Sequence, residues 1–519
     1  MKTVRPLTAN NRFMVVTMLS VTWLLGGCGK TESPENAAWF GLTPPPGLGD
    51  PHSSIVDVSG VKAPPAAVPA GEEGFTELQG DKIFVYVRDI VEFSKQSRAA
   101  GDKVWGRVSG FPAQQKTAAW VAEQFRAAGL QDVELQQYSQ DSDMWWSNQW
   151  QVTLKGKPLF GDGSDDIVLE TALPTSGSFI ENGTLTGQPI YAGAVGEALP
   201  IDTDVTGKIA VQEVNPERSA YTERTPTRER AQALMAQGAI AVINIVNQSG
   251  NMLVRDFSNC NGPCFNLGTA DGAFLLAAMQ QADANNQLAE LQMELSLQAQ
   301  DRSDLSAYNA MGIIPGDNND ELIIINAHTD SWFDGAGDNA DGLAILVAMA
   351  RHFSQQENKP ARSLLFVASG GHHSSGLNGP AHFVAMNPAL VNKAVLVLNL
   401  EHNAQLFIND DWQAEPTEQM MSWSISNDNP WLADLTRRAM QRYGFNLNPE
   451  FRSATPGDLG GYRQLGIPMH QAIHSGALYH TSGDVLETIS IPGLERAARF
   501  QTYFIDQVAQ AGRDLFDSD

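Results

Sequence analysis

The run Leu322-Ile323-Ile324-Ile325 is continuously apolar and leads directly into His328 and Asp330, then into the Gly-rich stretch GAGDNADG (335–342) and the apolar segment LAILVAMARHF. An unbroken apolar strand followed by a helix is the pattern of a parallel strand covered on both faces, and so of an α/β fold. In open α/β sheets, sites form outside the carboxyl ends of the strands, where His328 and Asp338 fall. At strand spacing His328 and Asp330 project to the same side. Asp330 is therefore expected to hold one imidazole nitrogen of His328 while the other binds a metal. Asp338 sits in a loop whose glycines let a carboxylate approach an ion closely.

Of the ten histidines, nine lie from His328 onward and only His52 lies outside, the crowding that a metal site produces. Glu401 ends the strand AVLVLNL, and His480 lies in the loop LYHTSGDVLETI before the last helix. Asp338 is the natural bridge if two metals are present, since one carboxylate can give an oxygen to each of two ions about 4 Å apart.

The N-terminus addresses the compartment. Lys2 and Arg5 precede an apolar segment, Phe13 to Leu25, that ends in Leu25-Gly26-Gly27-Cys28. The apolar run is shorter than the ~20 residues that a bilayer-spanning helix needs. It resembles a bacterial lipoprotein signal in which Cys28 is lipidated, so residues 1–28 are expected to be signal peptide and lipid anchor. Gly29 after the cysteine favours the outer membrane under the lipoprotein sorting rule, giving a cell-envelope protein facing the periplasm or the surface. No other stretch is apolar enough to span a bilayer. The net charge of −25 argues against nucleic acid and against a polybasic grip on anionic lipid. In an oxidising compartment Cys260 and Cys264, in SNCNGPCF, are candidates for a small disulfide.

Residues 29–76, rich in Pro, Gly, Ala and Ser, are expected to be a flexible tether. FVYVRDIVEFSKQ and AQQKTAAWVAEQFRAAG read as helices, the second stopped by Gly129. They open a first body segment, 77–174, that ends in strand-like stretches including QWQVTL. Residues 175–300 read as a small α/β insert, with strands TGKIAVQEV and AIAVINIV around the helix RAQALMAQ; its order resembles a protease-associated domain. Residues 301–519 resume the body with strands ELIIINA, RSLLFVA, AVLVLNL, QLFIN and IPMHQAI. The expected fold is α/β: a mixed, mostly parallel sheet flanked by helices, with this insert.

The set HTDSW (328–332), GAGDNADG (335–342), LNLEHN (398–403), GDLGGYRQLGIP (457–468) and YHTSGD (479–484) resembles the co-catalytic zinc exopeptidases, peptidase family M28, which include secreted aminopeptidases and glutamate carboxypeptidase-like enzymes. The resemblance implies one or two zinc ions, a peptide substrate and metal-activated water. His328, Asp338 and Glu401 would ligate one zinc, with Asp330 orienting His328, while Asp338 and His480 would ligate the other. Tyr462 and Tyr479 are candidate oxyanion or substrate contacts, and Arg452 and Arg463 candidate readers of a free terminus. After RSLLFVA the family places two adjacent glutamates, a general base and a ligand. Here the segment is SGGHHSSGLNGPAHF, and its two registers put either His373 and Ser374 or His372 and His373 at those positions. Three readings follow: His372 or His373 ligates zinc or acts as base; a single metal on His328, Asp338 and Glu401 is catalytic; or the site binds peptides or a partner without hydrolysis. A transferase or cyclase on the same fold is a further class.

Overall fold

The computed structural model describes residues 38–45, 56–201, 203–217, 220–248, 250–255, 259–374, 376–425, 429–453 and 456–516. The signal segment and the lipidation candidate Cys28 lie outside them. Among the described residues no helix is long and apolar enough to cross a membrane.

The body is an eight-stranded mixed sheet in the order Gln131–Ser139, Ser306–Ile314, Arg362–Ser369, Asn318–His328, Ala394–Leu400, Met469–Ile473, Met421–Ile425, Leu447–Ser453. Asn318–His328 runs parallel to both of its neighbours, and Ala394–Leu400 parallel to Met469–Ile473. The apolar run at 322–325 is explained by the pleat. Ile323 and Ile325 join the core beneath helices Gly80–Ala99, Pro112–Ala128, Asp341–Ser354 and Ile491–Gln510, while Leu322 and Ile324 join the opposite core with Phe383, Leu459 and Tyr462. Register aligns His328 with Ser369 and Asn326 with Asn399, so the parallel strands end together and their following loops converge.

Between Ser139 and Ser306 the chain makes an excursion into two further sheets. One has five strands, in the order Leu173–Pro174, Cys264–Leu267, Ala241–Val246, Ile209–Val214, Pro189–Ala194; the other has four, including Met144–Lys155 paired antiparallel to Gln292–Arg302. The stretch QWQVTL thus pairs within the excursion and not with the large sheet, and the expected boundary at 175 falls inside it. The sequence pattern alone cannot assign a strand to a sheet, because the partner is more than a hundred residues away. Likewise QLFIN yields Leu406–Ile408, which pairs only with Ala414–Glu418 outside the large sheet.

The excursion shares a core with the loop after His328, since Trp332 and Phe333 pack among Trp105, Trp150, Leu154 and Ile243. The expected tether is docked where it is described. Trp39 is 2% exposed, donates Nε1–H to the Asp165 carbonyl at 3.1 Å and packs edge-on to Phe160. The carbonyls of Pro64 and Pro65 accept from Arg496, and Glu72 receives Arg442, Arg499 and the Tyr443 hydroxyl. Pro-rich composition did not reveal these contacts, because single anchors such as Trp39 carry them. Cys260 and Cys264 are buried free thiols and not a disulfide; Cys260 Sγ faces the carbonyls of Gly262 and Pro263 in its own tight loop.

Candidate metal centre

The loop from His328 to Asp341 is fixed by a buried cation absent from the sequence reading. Arg107, in the stretch read as a Gly/Pro interruption, donates to the carbonyls of Thr329 (2.9 Å), Asp334 (2.8 Å) and Gly335 (3.0 Å) and to Ser94 Oγ (2.8 Å). Burial lowers its pKa to about 10, while Asp338 and Asp484 lead the carboxylates that sustain its charge. Gly335 is required at φ +58, where a Cβ would come within 2.3 Å of Ser331 Cβ. Beyond it, the N–H groups of Gly337 and Asp338 donate to the Asp484 carboxylate at 2.7 and 2.9 Å, which aims the Asp338 side chain.

Asp338 lies at the centre of four imidazoles. Its Oδ1 stands 3.1 Å from His402 Nε2 and 3.4 Å from His328 Nε2. Its Oδ2 stands 3.0 Å from His373 Nε2 and 3.4 Å from His480 Nε2. Glu401 Oε1 closes the first side, 3.7 Å from His328 Nε2 and 3.3 Å from His372 Nε2, with its other oxygen held by Asn399 Nδ2 at 2.7 Å. His372 stacks on His328 with ring centres 4.1 Å apart. Candidate ligand atoms of His328, Glu401 and His402, and of Asp338, His373 and His480, come within 4.8 Å of one another.

These spacings fit two cations that share Asp338. Ligands about 2.1 Å from a tetrahedral ion stand roughly 3.4 Å apart, close to the separations seen. His328 Nε2 and Glu401 Oε1 are buried and make no hydrogen bond. A buried lone pair left unmatched costs about 1–3 kcal/mol, which a cation would relieve. Imidazole and carboxylate donors suit zinc and its first-row neighbours.

The electrostatics are those of an ion cradle. Burial disfavours charge on His373, yet the Asp338 and Asp330 carboxylates outweigh it and hold the imidazole at about 10. Burial is likewise outweighed at His372 by Glu401 and Asp458, and at His402 by Asp338, each standing at about 9. Asp338 and Asp330, which burial alone would raise, are held below the usual carboxylate range, chiefly by His373.

Several expectations are revised. The Nδ1 of His328 meets the backbone carbonyl of Asp330 at 3.0 Å, while the nearest carboxylate oxygen is 3.7 Å away. The Asp330 carboxylate turns instead to the next loop, accepting the N–H groups of His372 (3.1 Å) and His373 (2.9 Å) and lying 3.3 Å from His373 Nδ1. It therefore orients the His-His pair. Of the two registers, His372 and His373 face the cradle; Ser374 is buried with no hydrogen bond to its hydroxyl. Tyr462 is no oxyanion donor, being 0% exposed and bonded through its hydroxyl to Asn326 Oδ1 at 2.9 Å. Tyr479 stacks on His480 at 3.8 Å and lines the cavity before the cradle.

His402 and Asp458 were missed, although both fall in motifs singled out from sequence. His402 adjoins Glu401 at the same strand end, and that adjacency was the available signal. Asp458 accepts from Ser369 Oγ and Asn326 Nδ2, both at 2.8 Å, and lies 2.9 Å from His372 Nδ1. Its partners come from two strand ends, those of Asn318–His328 and Arg362–Ser369, a relation that linear spacing does not carry.

Residues 309–505, which contain every cradle residue named above, match the family model described as peptidase family M28. The chain is 35% identical over 99 residues to a probable glutamate carboxypeptidase of Arthroderma benhamiae, a match covering 18% of this chain and 14% of that protein's length. Among solved structures, a zinc aminopeptidase from Bacillus subtilis superposes with a TM-score of 0.58 at 22% identity, covering 85% of this chain and 98% of that one. A peptidase M28 precursor from Shewanella amazonensis SB2B gives 0.60 at 17%, covering 83% and 98%. The resemblance read in the sequence motifs therefore holds for the family across 309–505, and the shared fold extends over most of the chain.

Proposed function

We propose that this chain is a metal-dependent exopeptidase whose residues around Asp338 would hold two zinc ions. The observation that carries the reading is the division of Asp338, with one oxygen facing His328 and His402 and the other facing His373 and His480. The M28 match over this segment and the zinc aminopeptidase fold support it. One ion would be held by His328, Asp338, Glu401 and His402, the other by Asp338, His373 and His480. Such ions polarise the scissile carbonyl and bring the pKa of water towards ~7.

The chain's own base is His372. Asp458 at Nδ1 fixes the ring, leaving Nε2 directed at the cradle beside Glu401. Engagement of Glu401 by a cation removes the leading attraction that keeps His372 charged and returns it towards a neutral imidazole able to accept a proton. His372 thus takes the part of the missing carboxylate, and His373 that of the missing ligand. The test is chelator-sensitive hydrolysis of blocked dipeptides and aminoacyl anilides, abolished by Asp338→Asn. A competing reading, binding without hydrolysis, draws on the lack of a carboxylate at 372 and 373 and predicts fully loaded protein without turnover.

The same proposal places the protein in the cell envelope, lipid-anchored at Cys28. Cys28→Ser should abolish fatty-acid labelling and release the protein from the membrane fraction; unchanged labelling would refute the anchor.

A further inference from the structure

His480, one of the two imidazoles facing Oδ2 of Asp338, has a backbone φ of +57. Non-glycine residues seldom adopt that conformation, and it persists only where surrounding contacts impose it. Here the contacts come from the excursion, far earlier in the chain. The N–H of Arg255 donates to the His480 carbonyl at 2.9 Å, and Val254 bridges Thr481 in antiparallel fashion. The N–H of Leu253 donates to Ser482 Oγ and that of Ser482 to the Leu253 carbonyl, both at 3.0 Å. Gln248 Nε2 donates to the Ala477 carbonyl at 2.9 Å, and Met252 packs with Ala477 and Leu478. The loop that carries the ligand is thus one half of an antiparallel pair whose other half belongs to the excursion.

That other half is braced by buried amides for which hydrolysis has no use. Gln212, Asn244 and Asn266 occupy matching positions on three neighbouring parallel strands, Ile209–Val214, Ala241–Val246 and Cys264–Leu267. None is more than 1% exposed. Gln212 Nε2 donates to Asn244 Oδ1 at 2.8 Å, Asn244 Nδ2 to Asn266 Oδ1 at 3.0 Å, and Asn266 Nδ2 to the Val254 carbonyl at 3.0 Å. Gln248 is fixed from its own side, its N–H donating at 2.9 Å to Oγ1 of Thr269, the first residue of helix Thr269–Ala284. Amides buried in this way are tolerated only when each is bonded, so no member of the row can shift alone. The row therefore fixes the Val254 carbonyl against the sheet of the excursion. Through the antiparallel pair it fixes His480.

We infer that Gln248 and Asn266 are positioning residues for His480, so that the excursion sets the affinity of the cradle for the ion shared by Asp338, His373 and His480. This rests on the proposed two-ion reading and deepens it, giving the excursion a part in metal retention. The ion on His328, Glu401 and His402 gains little from these contacts, because its ligands stand at the ends of Asn318–His328 and Ala394–Leu400 in the large sheet.

The test is chelator competition on the zinc-loaded full-length chain, with His480→Ala identifying the class of site that this histidine serves. In Gln248→Ala and in Asn266→Ala that class should weaken about tenfold or more, the usual cost of losing an outer partner of a metal ligand, while the other class holds. In the His480→Ala background, Gln248→Ala should leave the remaining affinity unchanged. Ser482→Ala deletes only a hydroxyl and carries the same expectation should a larger deletion fail to fold. Equal weakening of both classes, or an effect of Gln248→Ala that survives the loss of His480, would overturn the inference, since general loosening of the body would explain it. Two classes that neither Gln248→Ala nor Ser482→Ala moves would overturn it alone and leave the two-ion reading standing. A single class indifferent to His480→Ala would overturn both. No readout here uses peptide cleavage, so failure of the hydrolytic reading is scored separately.

Discussion

Nδ1 of His372 lies 2.9 Å from Oδ1 of Asp458, so the imidazole beside Glu401 is held by a carboxylate from the start of the short helix Leu459–Tyr462. An imidazole fixed in this way keeps one tautomer and one orientation, the arrangement by which a histidine can stand in for a general-base carboxylate. Asp458→Asn should leave metal content intact and lower kcat by about 10- to 100-fold with little change in KM. Steady-state kinetics with parallel metal analysis checks it, and an unchanged kcat would remove His372 from the base role.

Asp330 acts on the His-His pair and not chiefly on His328. Asp330→Ala removes the acceptor for two backbone N–H groups and the partner of His373 Nδ1. Loss of such an outer carboxylate typically costs 10- to 100-fold in metal affinity. Competition with a chelator should show the weakening at one of two ions, the one on His373 and His480.

Proton release should accompany metal binding. His372 and His402 stand at about 9 and His373 at about 10, above the ordinary imidazole value, so all three carry protons at neutral pH in metal-free protein. Their contribution to the stability of that form is complete below the unfolded value of ~6.5 and is lost as pH rises through 9 to 10. Metal must displace those protons, so affinity should rise with pH across this window. Calorimetric titration in buffers of different ionisation enthalpy measures the release directly.

Arg107 is the keystone of the loop that bears Asp338. Arg107→Met takes a donor from the carbonyls of Thr329, Asp334 and Gly335; Asp334 keeps the Ser94 hydroxyl and Gly335 the Ala340 N–H, each at 3.1 Å. With the Thr329 carbonyl left unmatched and the other two each losing one of two donors, the loss should be about 1–3 kcal/mol. Denaturant unfolding checks this, and Arg107→Lys should recover only part of it, since an ammonium cannot reproduce the fork.

Much of the site was legible because its ligands follow apolar strands directly: His328 after Ile323–Ile325, Glu401 after AVLVLNL, Asp338 before an apolar helix. The parts that were not legible depend on pairings between distant segments. Asp330 engages the loop at 372–373 more closely than the histidine two residues before it, because that loop offers two N–H groups. Tyr462 looked available in a Gly-rich stretch, yet its ring fills the core with Phe383. Trp39 sits in a Pro-rich region and still docks, because one large aromatic side chain suffices to hold an otherwise polar segment.

The central claim is that the His-rich cradle holds two metals and that both serve hydrolysis. The most direct measurement is metal stoichiometry alongside peptide hydrolysis for the intact chain and for His373→Ala. Two equivalents with chelator-sensitive turnover in the parent, and one equivalent with turnover lost in the variant, are predicted. A single equivalent indifferent to His373, or a fully loaded protein that cleaves no peptide, would contradict it.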